Sequence, residues 1–163
     1  MIGIIVAVLS VLLPLLHLGL SKQPRTRSRA IHLLLLYALV LDVGVMGLFL
    51  GFIPHVFFAD QAAHLIGWPA GSPFQFEVGF HDEAWGLLGF LCLRIGGPFR
   101  LATGLGWSFF MFGATYGHID QTVHEGNYAP YNFLTIFSDG FITVWLLILL
   151  YLYHRWVGFH NQV

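Results

Sequence analysis

The sequence predicts an all-α integral membrane bundle of five transmembrane helices, with the N-terminus outside and the C-terminus cytoplasmic. Three observations predict it. The chain is short of charge: 57% of its 163 residues are hydrophobic and only 9% are charged, against about 25% charged in a soluble domain. Its mean hydropathy is +0.76, so lipid must be the solvent for much of its surface. Apolar runs recur at roughly the 20 residues that a spanning helix needs. All seven basic residues (Lys22, Arg25, Arg27, Arg29, Arg94, Arg100 and Arg155) fall where a single topology puts them on one side. The positive-inside rule makes that side cytoplasmic.

The first segment is Ile2 to Leu20. It lacks the leading basic region and the cleavage site of a signal peptide, and its positive charges follow it, as in a retained anchor. After the basic loop Ser21–Arg29 comes the second segment, Ile31 to Phe58, long enough to tilt. The third runs from near Pro73 to near Arg94 and holds Glu77, His81, Asp82 and Glu83. Ser72-Pro73-Phe74-Gln75 reads as its start, with Ser as N-cap, Pro at the first helical position and Gln closing a capping box. If this polar segment did not cross, Arg94, Arg100 and Arg155 would leave the side of the first basic loop. The loop Gly96-Gly97-Pro98 leads to the fourth segment, Leu101 to Ile119, and the fifth runs from about Asn132 to Tyr153. Residues 1–163 therefore read as one transmembrane domain.

Glycines suggest close helix contacts: Gly44, Gly47 and Gly51 on the second helix, Gly86 and Gly89 on the third, Gly113 and Gly117 on the fourth. Small residues at such spacing let membrane helices approach. Trp68 and Trp156 sit where aromatic belts form. His32, His154 and His160 read as interfacial. Cys92, the one cysteine, rules out an internal disulfide and reads as packing filler.

The ionisable residues gather toward the outer side. At about 1.5 Å per residue, Glu77 lies roughly 6 Å and His81 about 12 Å into the third helix. His118 ends the fourth, with Asp120, His124 and Glu125 just beyond, and Asp139 lies about two turns inside the fifth. Asn132, Thr135, Asp139 and Thr143 form one polar stripe, and Ser108, Thr115, His118 and Thr122 another, expected to face the interior. Glu77 and His81 share a helix face. Asp42, midway along the second helix, needs a partner. Carboxylates and imidazoles converging from several helices suit a divalent transition metal such as Zn, Cu, Fe or Mn. They equally suit a proton relay. The expected metal ligands are Glu77, His81, His118, His124 and Asp139, with Glu77, His118 and Asp139 as the core. Asp42, Asp82, Glu83, Asp120 and Asn132 are further relay or structural polar groups. Ligation of a haem by His81 and His118, and a purely structural hydrogen-bonded set, remain open.

Some chemistries find no signature. There is no H-E-x-x-H or G-x-S-x-G motif, no Glu-x-x-His pair of the di-iron bundles and no P-loop for ATP. The net charge of −1 gives no reason to expect nucleic-acid binding.

From Ile66 onward the motifs Ile66-Gly67-Trp68-Pro69, Ser72-Pro73-Phe74-Gln75-Phe76-Glu77-Val78-Gly79-Phe80, Gly86-Leu87-Leu88-Gly89, Gly113-Ala114-Thr115-Tyr116-Gly117-His118-Ile119 and Asn127-Tyr128-Ala129-Pro130-Tyr131-Asn132, followed by Asp139, carry a resemblance. Over about the last 90 residues the chain resembles a family of small bacterial and archaeal membrane proteins known only as a domain of unknown function. Glu77, His118, Asn132 and Asp139 match its pattern, whereas His81-Asp82 departs from it. The resemblance implies a multi-spanning protein of a prokaryotic cytoplasmic membrane and no particular activity. The functional expectations are an outward-facing carboxylate/His site, an accessory subunit of a larger membrane complex, or a small ion or solute transporter. Whether the chain is an enzyme stays open.

Overall fold

The computed structural model describes residues 1–159, so His160 lies outside the described residues. Among the described residues there are six helices and no strand. They are α1 (Ile2–Leu20), α2 (Arg27–Phe57), α3 (Ala59–Ile66), α4 (Pro73–Leu91), α5 (Pro98–His124) and α6 (Pro130–Trp156). Every segment expected to be helical is helical. The addition is α3, which falls between the second and third expected segments. Three helices, α1, α2 and α6, are long and apolar enough to cross a membrane. The polar content of α4, with Glu77, Asp82 and Glu83, sets it apart from them.

Local chemistry accounts for the boundaries. Thr26 caps α2, its hydroxyl accepting from the Arg29 backbone N–H at 3.3 Å, which satisfies one orphan donor of the first turn. α3 stops at Gly67, which takes φ +81°. A β-carbon there would be strained and would also meet Asn127 Oδ1 at 2.5 Å. Ser72 does hold the N-cap position of α4 with Pro73 next, but the expected capping box does not form. Ser72 makes no side-chain cap bond. The Gln75 side chain is buried instead, facing His55.

The middle of α2 was not anticipated. From Leu39 to Phe52 it is a π-helix, whose wider i→i+5 turn is rare and tends to occur at functional sites. This stretch carries Asp42 and three glycines, and α4 packs along it. A β-carbon on Gly47 would lie 2.8 Å from Gly86 N, and one on Gly86 would lie 2.6 Å from Leu48 N. The two backbones touch, as the glycine spacing of both helices predicts. Gly113 and Gly117 differ: nothing among the described residues lies within 4 Å of a β-carbon built there. Their expected contact with a neighbouring helix is absent among the described residues.

α5 packs chiefly on α6, while α1 lies against α2 and α6. Few contacts join α4 to α5, and the Trp85 indole, seated in the space left by Gly106, is one of them. The apolar core is built from Leu35, Leu39, Val43, Trp107, Ile142, Leu146, Leu149 and Tyr153, all essentially inaccessible. Large apolar side chains such as Leu16, Phe109, Phe112, Val144 and Tyr151 face outward. So large an apolar exterior marks a surface that meets lipid or other protein rather than water.

The two ends of the bundle differ in chemistry. At one, Ser28 at the start of α2 donates to the Trp156 carbonyl at the end of α6, with Arg27 and Arg155 close by. At the other, Trp68, Gln121, Asn127, His118 and Asn132 are knit together.

Candidate functional site

The polar interior begins with Asp82 on α4. Its side chain occupies the space that the missing β-carbon of Gly51 leaves on α2, so a glycine is needed to admit a carboxylate between the helices. One turn of hydrogen bonds orients it. Trp85 Nε1 donates to His81 Nε2 at 2.9 Å, and His81 Nδ1 lies 3.3 Å from Asp82 Oδ1. An indole N–H can only donate, so Nε2 of His81 is the acceptor and the ring proton sits on Nδ1, directed at Asp82. His81 can take a second proton only by giving up the Trp85 bond. Its ring also packs on Phe110, with centroids 4.3 Å apart.

This pair runs from the surface of the bundle into its interior. The His81 side chain is 41% exposed and that of Asp82 only 8%. Beyond Asp82, His55 on α2 and Asp139 on α6 lie within electrostatic reach. Asp139 is buried and accepts from Ser138 Oγ at 3.1 Å. His55 Nδ1 and both amide atoms of Gln75 are buried with no well-formed hydrogen bond, although the two side chains face each other. Unsatisfied buried groups of this kind cost free energy and call for an explanation.

A second network fixes His118 at the end of α5. Asn132 Oδ1 accepts from His118 Nδ1 at 2.7 Å. The amide nitrogen of Asn132 donates to Thr122 Oγ1 and to the Asn127 carbonyl, each at 2.9 Å. Donation from that nitrogen identifies Oδ1 as the acceptor, so His118 is protonated on Nδ1. Its ring stacks on Trp68, centroids 6.4 Å apart at 16°, and Trp68 Nε1 donates to Gln121 Oε1 at 2.7 Å. Asn127 ties this end to α3 through the Ile66 carbonyl at 2.9 Å.

Asp42 stands apart. It is wholly buried, and neither carboxylate oxygen has a hydrogen-bond partner among the described residues. Ser10 on α1 is its polar neighbour, but the Ser10 hydroxyl proton is committed to the Ala7 carbonyl at 2.8 Å.

The sequence expectations divide accordingly. His118 with Asn132, His81 with Asp82, and Asp120 with His124 are brought together. The two polar stripes do face inward, with Ser108, Thr122, Asn132, Asp139 and Thr143 buried. The five expected ligands Glu77, His81, His118, His124 and Asp139 are not gathered. No group of three or more His, Cys, Asp or Glu side chains among the described residues is placed to hold a metal ion. The reason is one of direction. Glu77 is exposed on α4, while His81 one turn on turns to Asp82 and Trp85. His124 is exposed and bonds Asp120 at 2.8 Å. Sequence reasoning missed Trp85, Gln75 and Ser138. The i, i+4 spacing of His81 and Trp85 was the available signal for the first.

The all-helical fold, its three membrane-length apolar helices and its outward apolar surface define a helical membrane protein. The chain belongs to a family of unknown function, DUF6790, which matches residues 1–158. The family thus covers nearly the whole chain, beyond the C-terminal part whose motifs carry the resemblance. No curated protein and no solved structure matches it.

Proposed function

We propose that the chain crosses a prokaryotic cytoplasmic membrane five times, N-terminus outside, and exchanges protons between its outer surface and a buried carboxylate site. The observation that carries this reading is the chain Trp85→His81→Asp82, in which an accessible imidazole contacts a buried carboxylate. Imidazole titrates near neutral pH and accepts and releases protons on two nitrogens. A carboxylate inside a membrane protein needs a cation, a proton or hydrogen bonds. Among the described residues Asp82 and Asp139 are paired with no Lys or Arg. A proton arriving at His81 Nε2 breaks the Trp85 bond, and the Nδ1 proton then passes to Asp82, leaving the ring neutral. Asp139 and His55 extend the site inward. The five-span topology is supported by the collection of the basic residues at the end of the bundle away from this site.

The experiment uses purified protein in lipid nanodiscs. Trp85 changes its hydrogen bonding whenever His81 gains a proton, so tryptophan fluorescence should change with pH between mildly acidic and mildly alkaline conditions. His81→Gln and Asp82→Asn should each remove most of that change. A wild-type signal retained in both variants would reject the relay. A stoichiometric transition metal in the purified protein, lost in His81→Ala, would replace this reading with the metal one.

A further inference from the structure

The basic end of the bundle carries a separate feature that the proton-exchange reading does not use. Four of its arginines divide into two groups. Arg25 and Arg29 are turned onto their own loop: Arg25 bonds the Gly19 carbonyl at 2.6 Å, and Arg29 bonds Ser21 Oγ at 2.7 Å and the Gln23 carbonyl at 3.0 Å. They shape the loop. The side chains of Arg27 and Arg155 have no hydrogen bond or ion pair among the described residues, and both guanidinium groups lie over the indole of Trp156, at 4.4 and 5.0 Å from a ring centroid. Their planar donors are uncommitted. Two like charges gathered on one ring repel, and nothing acidic among the described residues offsets them.

We propose that Arg27, Arg155 and Trp156 form a binding site for the headgroup phosphate of an anionic phospholipid. A phosphodiester presents two unesterified oxygens, which match the forked donors of a guanidinium. Arg27 is also the first residue of α2, where the helix dipole favours an anion. The occupant is a lipid and not a soluble phosphate because of what adjoins the site. Trp156 is 45% exposed, and Tyr151, Ile148 and Leu147 continue an exposed apolar surface along α6 on which acyl chains can lie. The phosphate sits at the arginines, the indole at headgroup depth and the chains against α6.

The test compares lipid preference. Purified protein is mixed with phosphatidylglycerol or phosphatidylcholine, and bound lipid is counted by native mass spectrometry beside the thermal unfolding midpoint. Wild-type protein should favour and be stabilised by phosphatidylglycerol. Arg27→Gln and Arg155→Gln should each reduce the preference about fivefold, given roughly 1 kcal/mol per basic residue at an anionic surface. Arg94→Gln, which removes the same charge elsewhere at the basic end, should leave it intact. An equal loss in all three variants would mean unspecific charge attraction and would overturn the site. Stabilisation by inorganic phosphate alone, equal to that by phosphatidylglycerol, would overturn the lipid assignment. Should a Gln variant fold poorly, Arg27→Lys with Arg155→Lys keeps the charge and removes the fork. An undiminished preference there would also refute headgroup recognition by the guanidinium pair.

Discussion

Asn132 shows how much one side chain settles in this protein. It is inaccessible, and its amide reaches His118, Thr122 and Asn127 at once. Removing it leaves several buried groups unpaired, at roughly 1–3 kcal/mol each before relaxation. Asn132→Ala should therefore destabilise the protein by about 2–3 kcal/mol, read as a lower unfolding midpoint in detergent. An unchanged midpoint would mean that water replaces the amide. The partner relation of Asn132 and His118 was partly legible, since both match the quoted motifs and lie at similar depth. The roles of His81 and Glu77 were not. Spacing four apart puts two residues on one face, but does not say whether an imidazole turns back to Glu77 or onward to Asp82 and Trp85. That choice depends on Gly51 and Phe110, which come from other helices.

Among the elements, α2 and α4 are the most tightly joined, and their glycines explain why. A methyl group at Gly86 meets the Leu48 backbone rather than a yielding side chain. Gly86→Ala should cost about 1–3 kcal/mol. Gly113→Ala should stay within about 0.5 kcal/mol, since that position is open among the described residues. Comparable losses in both would show that α5 is covered by something outside this chain. The helix positions were legible because apolar length and punctuation (Pro73, Gly97-Pro98) are properties of the local sequence. The π-helical stretch of α2 and the short α3 were not. The π-helical stretch packs against the backbone of α4 at Gly86 and Gly89, a contact between parts of the chain far apart in sequence.

The whole molecule has an orientation, with its basic residues at one end and the His81–Asp82 pair midway along α4. A reporter fused after Val163 should read cytoplasmic and one placed near Gly126 external; the reverse result at the C-terminus would reject five spans. The end-to-end division of charge was legible because Lys and Arg placement is a property of sequence. Convergence of ligands was not, because depth along a helix does not fix the direction a side chain takes. The most direct test of proton exchange is infrared difference spectroscopy of the protein in lipid, taken between mildly acidic and mildly alkaline pH. The account predicts a carboxyl band that appears on acidification, disappears in Asp82→Asn and is altered in His81→Gln. A spectrum with no titrating carboxyl, or one unchanged by Asp82→Asn, would contradict it.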